Sequence, residues 1–232
     1  TPGGALAPSD EVSDGTRALL ETWDRELHAT TDRLRQARIH FEIARIAEAR
    51  LRDLKLAGTH YQEALTRAPE HVPSIRGARR VLLARKQAVQ ALPLFDLEAR
   101  LASDPKHKAA LFFEKGRVHE DVLGQRTEAR AAYVTALELD RGEPAILRAL
   151  SQIDEAVQKY DDLAVDLERE ASAVPSDPRH RAALLFQRAR VVELRRKDAE
   201  AATEIYESAL ALDPLTTGAL DALKRLYHAQ KR

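Results

Sequence analysis

What most limits the folds open to this chain is a period. Asp32, Phe41, Arg45, Ala57, Tyr61 and Ala64 recur 72 residues later as Asp104, Phe113, Arg117, Ala129, Tyr133 and Ala136. They recur again, 72 to 73 residues further on, as Asp177, Phe186, Arg190, Ala202, Tyr206 and Ala209. A fixed spacing of this kind marks stacked supersecondary units, each burying an apolar face against its neighbours. Such arrays mostly present surfaces to partners, so the period directs attention away from catalysis.

The units are helical. From about Thr16 onward apolar residues fall at three- and four-residue spacing among good helix formers, and no alternating β-branched run appears. Asp104-Pro105 and Asp177-Pro178 each set an N-cap carboxylate before a first-turn proline, and Pro69, Pro73, Pro144 and Pro214 mark other boundaries. These breaks predict about twelve helices near 14–30, 33–52, 56–68, 73–85, 88–102, 106–123, 127–139, 144–157, 161–173, 179–195, 199–211 and 216–230. Residues 1–13, rich in Pro and Gly, read as a flexible tail, and 14–230 as one helical array. Trp23 recurs as Phe95 and Leu167, which predicts a core position.

Composition closes several function classes. Thirty-seven basic and 37 acidic residues cancel, which argues against a dedicated nucleic-acid or membrane-surface binder. Runs such as Val81–Ala84 are far too short to span a bilayer, so no membrane insertion is expected. With no Cys there is no disulfide framework and no thiolate chemistry. The expected compartment is the cytoplasm, with the periplasm as the alternative, since the absence of Cys does not separate the two. There is also no Met, even at position 1, which reads as a processed form or a piece of a longer chain.

A search for catalytic machinery returns no candidate residue. The eight His include no H-E-x-x-H and no helical i, i+4 pair, and no G-x-S-x-G, phosphate loop or dinucleotide fingerprint occurs. His107 and His180 recur with the period just inside helix starts, a structural pattern. Asp161, Asp162, Glu168 and Glu170 have spacings that suit an exposed helix face rather than a buried acid/base pair. No cofactor and no metal is expected.

The motif A-x3-Y-x2-A-L, at Ala57–Leu65 before Pro69 and at Ala202–Leu210 before Pro214, resembles the second helix of the tetratricopeptide repeat. Ala44, Gly116 and Ala189 fill the small-residue site of the first helix. The chain departs from the pattern in several places. Ile43, Lys115 and Arg188 stand where the family's Leu precedes its Gly, Arg141 stands where the closing Pro belongs, and Ala44 to Ala57 is one residue longer than the consensus. Degenerate pairs lie between the better ones, with Ala91 and Phe95 matching Leu163 and Leu167, and Glu26, Glu98 and Glu170 in register. This alternation looks like the large multi-repeat bacterial proteins of deltaproteobacteria. The resemblance covers 14–230 and implies an all-α, right-handed superhelical solenoid of antiparallel helix pairs.

It also implies a function. First helices of this family line a concave groove where partners bind. Carried over, the groove register holds Phe41, Arg45, Arg76, Arg80, Phe113, Arg117, Arg148, Phe186, Arg190 and Arg225, with Gln152 at a gap in the arginine ladder. Guanidinium forks suit acidic groups or backbone carbonyls. The competing account is a solvated face in which Arg45, Arg117 and Arg190 pair with Glu48, Glu120 and Glu193 three residues on. The chain contains no Asn, so the family's Asn-dependent carboxylate clamp and acceptor ladder are unavailable. The expectation is a non-enzymatic scaffold or adaptor holding a segment of another protein, with self-association through unpaired end helices a further option. The alternative is a ligand- or peptide-sensing regulator that acts through a domain outside this sequence.

Overall fold

The computed structural model of the protein describes residues 14–230, so the expected tail at 1–13 lies outside the described residues. Twelve α-helices are present among the described residues, in agreement with the number read from the breaks. The chain divides between Ser103 and Asp104 into two compact units. The first holds α1 (Asp14–Ala29), α2 (Arg33–Ala49), α3 (Leu54–Arg67), α4 (Val72–Ala84) and α5 (Ala88–Leu101). The second holds α6 (Pro105–Arg117), α7 (Arg126–Leu139), α8 (Pro144–Ala156), α9 (Tyr160–Ala173), α10 (Pro178–Val191), α11 (Ala199–Leu212) and α12 (Thr217–Gln230). Within each unit, consecutive helices pack on one another.

Aspartates start many of these helices. Asp32, Asp53, Asp104, Asp177 and Asp198 each accept a hydrogen bond from a backbone N–H of the first turn. A cap of this type contributes about 1 kcal/mol. The interior of each strong pair is built on one ring, with Tyr61, Tyr133 and Tyr206 all 1% exposed or less and alanines at Ala57, Ala64, Ala129, Ala136, Ala202 and Ala209 fully buried. Two of the rings lean on a neighbouring helix where it carries a glycine. A Cβ at Gly77 of α4 would lie 2.3 Å from Tyr61, and one at Gly116 of α6 would lie 2.4 Å from Tyr133. Trp23, expected in the core, is only half-buried.

The residue that lengthens each strong pair beyond the consensus has a visible consequence. α6 continues into a π-helical turn at Val118–Val122 and α10 into one at Val192–Arg196. At the end of α2 the same wider bonding appears, Leu51 N–H to Ile46 O at 3.2 Å and Asp53 N–H to Ala47 O at 3.0 Å. An inserted residue widens the last turn and leaves the packed register undisturbed. Each turn between paired helices then needs one left-handed residue. Gly124 fills it in α6–α7, whereas Arg52, Lys86, Gln158 and Lys197 adopt positive φ elsewhere.

Candidate functional site

The recurring glutamates on the first helices do not pair with the arginine three residues before them. The Tyr61 hydroxyl donates to Glu48 at 2.9 Å, Tyr133 to Glu120 at 2.7 Å and Tyr206 to Glu193 at 2.8 Å. The sequence signal was present, since Tyr and Glu recur together at a separation of 13, but only the antiparallel packing of a pair brings them together. Burial, and after it this hydrogen bond to a carboxylate, pushes each tyrosine hydroxyl well above its ordinary value. Arg80 of α4 then forks onto Glu48 at 2.5 and 2.7 Å, and Arg225 of α12 onto Glu193 at 2.5 Å. The Arg80 fork outweighs burial and holds the Glu48 carboxyl below its usual range. Tyr, Glu and Arg thus link the α2–α3 and α10–α11 pairs to the next first helix, whereas in the middle pair Gln152 stands where that arginine would be.

Arg80 and Arg225 are therefore engaged in holding helices together. Arg45 pairs with Glu42 on its own helix at 3.1 Å and Arg117 with Asp121 at 2.7 Å, both in solvent. Arg190 has neither arrangement, because Gln187 and Leu194 occupy the positions matching Glu42 and Asp121. It makes no ion pair among the described residues and lies 6.0 Å from the Phe186 ring centre. The three phenylalanines are half-buried and rest on the tyrosines, with ring centres 6.1, 5.4 and 5.8 Å apart at Phe41, Phe113 and Phe186. Phe41 also meets His71 edge-on at 5.2 Å. Each ring adds to the packed interior while one side remains near the surface.

Arg76 reaches Glu98 at 2.5 Å, and Arg148 reaches Glu170 at 3.5 Å. Glu98 and Glu170 are buried, so the expectation that Glu170 lies on an exposed face is wrong. It points from α9 toward the arginine of α8, the register already set by Glu98 in α5. Asp161, Asp162 and Glu168 are exposed as expected.

In the second unit the first helices form a cleft of about 730 Å3. Arg148, Ser151 and Gln152 of α8 make one wall and Gln187 and Arg190 of α10 the other. Leu163, Leu167 and Glu170 of α9 line it as well, and Leu194 and Arg195 of the π turn complete it. Leu194 is 54% exposed there, and Arg195 lies 4.9 Å from the Tyr160 ring centre. The periodic reading found Arg148 and Arg190 of this cleft but not Leu194 or Arg195, whose place depends on the π turn.

Two further polar clusters have no counterpart in the period. His40 and His60 bring their Nδ1 atoms to 3.0 Å between α2 and α3. Burial, then the Arg67 charge, pulls His40 down to about 4. Asp154 of α8 accepts from Arg130 of α7, which also holds Asp162 at 2.7 Å. Beside them burial and the Asp154 charge raise Asp166 to about 6. Among the described residues no group of three or more His, Cys, Asp or Glu is placed to hold a metal ion, and no helix is long and apolar enough to cross a membrane.

No protein-family model matches the chain, and no curated protein matches it by sequence. Solved structures do. YrrB, a TPR protein, is 18% identical over 88% of this chain and 99% of its own, with a TM-score of 0.51. The MamA protein is 15% identical over 78% of this chain and 94% of its own, with a TM-score of 0.50. At such identities likeness speaks for fold alone, and with the Tyr-centred pairs described above it establishes that this chain has the tetratricopeptide-repeat fold.

Proposed function

We propose that the chain is a non-enzymatic interaction scaffold that holds a segment of a partner protein against its first-helix face. The observation that carries this reading is the cleft between α8 and α10, where exposed Leu194 adjoins Arg190, a cation with no carboxylate partner among the described residues. Apolar surface beside unneutralised guanidinium suits a peptide chain, which offers side chains to the one and carbonyls or carboxylates to the other. YrrB is a TPR protein with an unusual peptide-binding site, and peptide binding is the use proposed for this chain, here along its first helices. In this reading Phe41, Phe113 and Phe186 supply apolar contact. Arg45, Arg76, Arg117, Arg148 and Arg190 set register, and Arg80 and Arg225 hold the helices that present them.

Affinity capture from the source lysate with the parent chain, Arg117→Glu and Phe113→Ala tests the reading. The expected result is a partner lost or weakened with both variants while the melting temperature of Arg117→Glu is unchanged. A partner that both variants retain at full strength would move the interface to another face.

A further inference from the structure

The α4–α5 pair and the α8–α9 pair match at an offset of 72, and the first serves as a template for the second. In the template Arg76 and Arg79 both reach Glu98, whose side chain is 2% exposed. Arg79 is itself only 13% exposed and lies 4.3 Å from the Phe95 ring centre. One guanidinium meets the carboxylate from the rim and the other from within. The matching residues in the second unit are Arg148, Ser151, Leu167 and Glu170.

Glu170 is as withdrawn as Glu98, 4% exposed, yet Arg148 alone approaches it, at 3.5 Å. The Ser151 Oγ is buried and has no hydrogen-bond partner. Leu163 in place of Ala91 returns carbon one turn away but no donor. A buried carboxylate with one long ion pair, and a buried hydroxyl with no bond, both carry desolvation costs that a ligand can offset. Both groups line the cleft between α8 and α10.

We propose that this cleft receives an arginine side chain from the partner segment, its guanidinium set against Glu170 and Ser151 as Arg79 is set against Glu98. The inference rests on the groove reading above and adds the chemistry of the partner. A guanidinium fits better than an ammonium because its planar fork can donate to a carboxylate and a hydroxyl together. The opposite wall carries Arg190 and Arg195, so a lone cation is opposed there. The segment must therefore also bring acceptors, backbone carbonyls or a carboxylate, to that side.

The test uses three fluorescently labelled peptides of about ten residues, identical in a Leu, Gly and Ser background except for a central Arg, Gln or Glu. Anisotropy is measured on the full chain and on Glu170→Gln and Ser151→Arg, both checked for helicity. Ser151→Arg supplies the missing guanidinium from within and keeps the test sound if Glu170→Gln fails to fold. The Arg peptide is expected to bind at least about tenfold more tightly than the Gln or Glu peptide, and Ser151→Arg should abolish that preference while leaving the fold intact. Equal binding of the three, no binding by any at millimolar concentration, or an Arg preference that survives Ser151→Arg overturns the inference. A captured partner whose bound segment lacks arginine overturns it as well and leaves the scaffold reading standing. A captured partner indifferent to every groove variant removes the groove reading on which this inference rests and moves the interface to another face.

Discussion

In the α2–α3 pair the packed interior is apolar around Tyr61, and carboxylate charge enters only at the edge, where Glu48 accepts the phenol hydrogen bond and the Arg80 fork. In the α8–α9 pair carboxylates lie inside, with Asp154, Asp166 and Glu170 all 5% exposed or less. The difference separates two roles within one array. Strong pairs keep the Tyr slot and its alanines and form the frame. Degenerate pairs have lost the Tyr hydroxyl, keeping a ring at Phe95 in α5 and only Leu167 in α9; both bury carboxylates, and they change from copy to copy, as Arg79 becomes Ser151. Divergence in the degenerate pairs is where individual sites arise.

The sharpest way to break this comparison is to remove a ring from the frame. Tyr133→Ala is expected to cost about 3 to 5 kcal/mol in denaturant unfolding, as aromatic truncation in a core does. Arg117→Glu, at an exposed ion pair, should change stability by no more than about 1 kcal/mol. Equal losses would mean that the inner and outer faces of these helices are reversed.

A smaller effect separates the pairs by pH. His40 titrates near 4 in the folded protein, below its ordinary value, so its contribution is complete above about 6.5 and is lost as pH falls toward 4. Asp166 is raised to about 6, so its contribution is complete below the ordinary aspartate value near 4 and is lost as pH rises through 6. Urea midpoints from pH 4 to 8 should therefore show His40→Gln flattening the acid limb. Asp166→Asn should raise the midpoint at pH 7 to 8 and leave that at pH 4 little changed. If Asp166→Asn lowers the midpoint at pH 8, the buried-carboxylate account of α8–α9 fails.

The smallest effect concerns the turns. Lys86 and Gln158 adopt φ near +60° in degenerate pairs, where Gly124 serves a strong one. Lys86→Gly and Gln158→Gly should each stabilise by about 0.5 to 1 kcal/mol, since a left-handed residue with a Cβ is strained by about that much or more. Thermal melts showing a loss would indicate that side-chain contacts at these turns outweigh the strain.

Much of this architecture was legible because period and helix chemistry are local. The Asp caps, the prolines and the Tyr–Ala slot placed twelve helices within a few residues. What escaped depended on antiparallel contact or broke the period. The longer spacing from Ala44 to Ala57 was visible, but its outcome, a widened last turn, follows only once both helices are packed. The competing account pairs Glu48, Glu120 and Glu193 with arginines on their own helices because i, i+3 spacing is what a sequence displays, whereas their tyrosines lie 13 residues away. His40 and His60 fall where the second repeat has Phe112 and Ala132 and the third Leu185 and Ile205, so repeat comparison passes over them. Glu170 recurs with Glu26 and Glu98, and that register, rather than the run of acidic neighbours around it, was the signal of burial.

The most direct test of the central claim, that partners dock on the first-helix face, is site-specific photo-cross-linking to the captured partner. A photoreactive residue replaces Gln187, in the α8–α10 cleft, or Ser208, exposed on the second helix α11. The account predicts a cross-link from position 187 and none from position 208. A cross-link from 208 with none from 187 would contradict it.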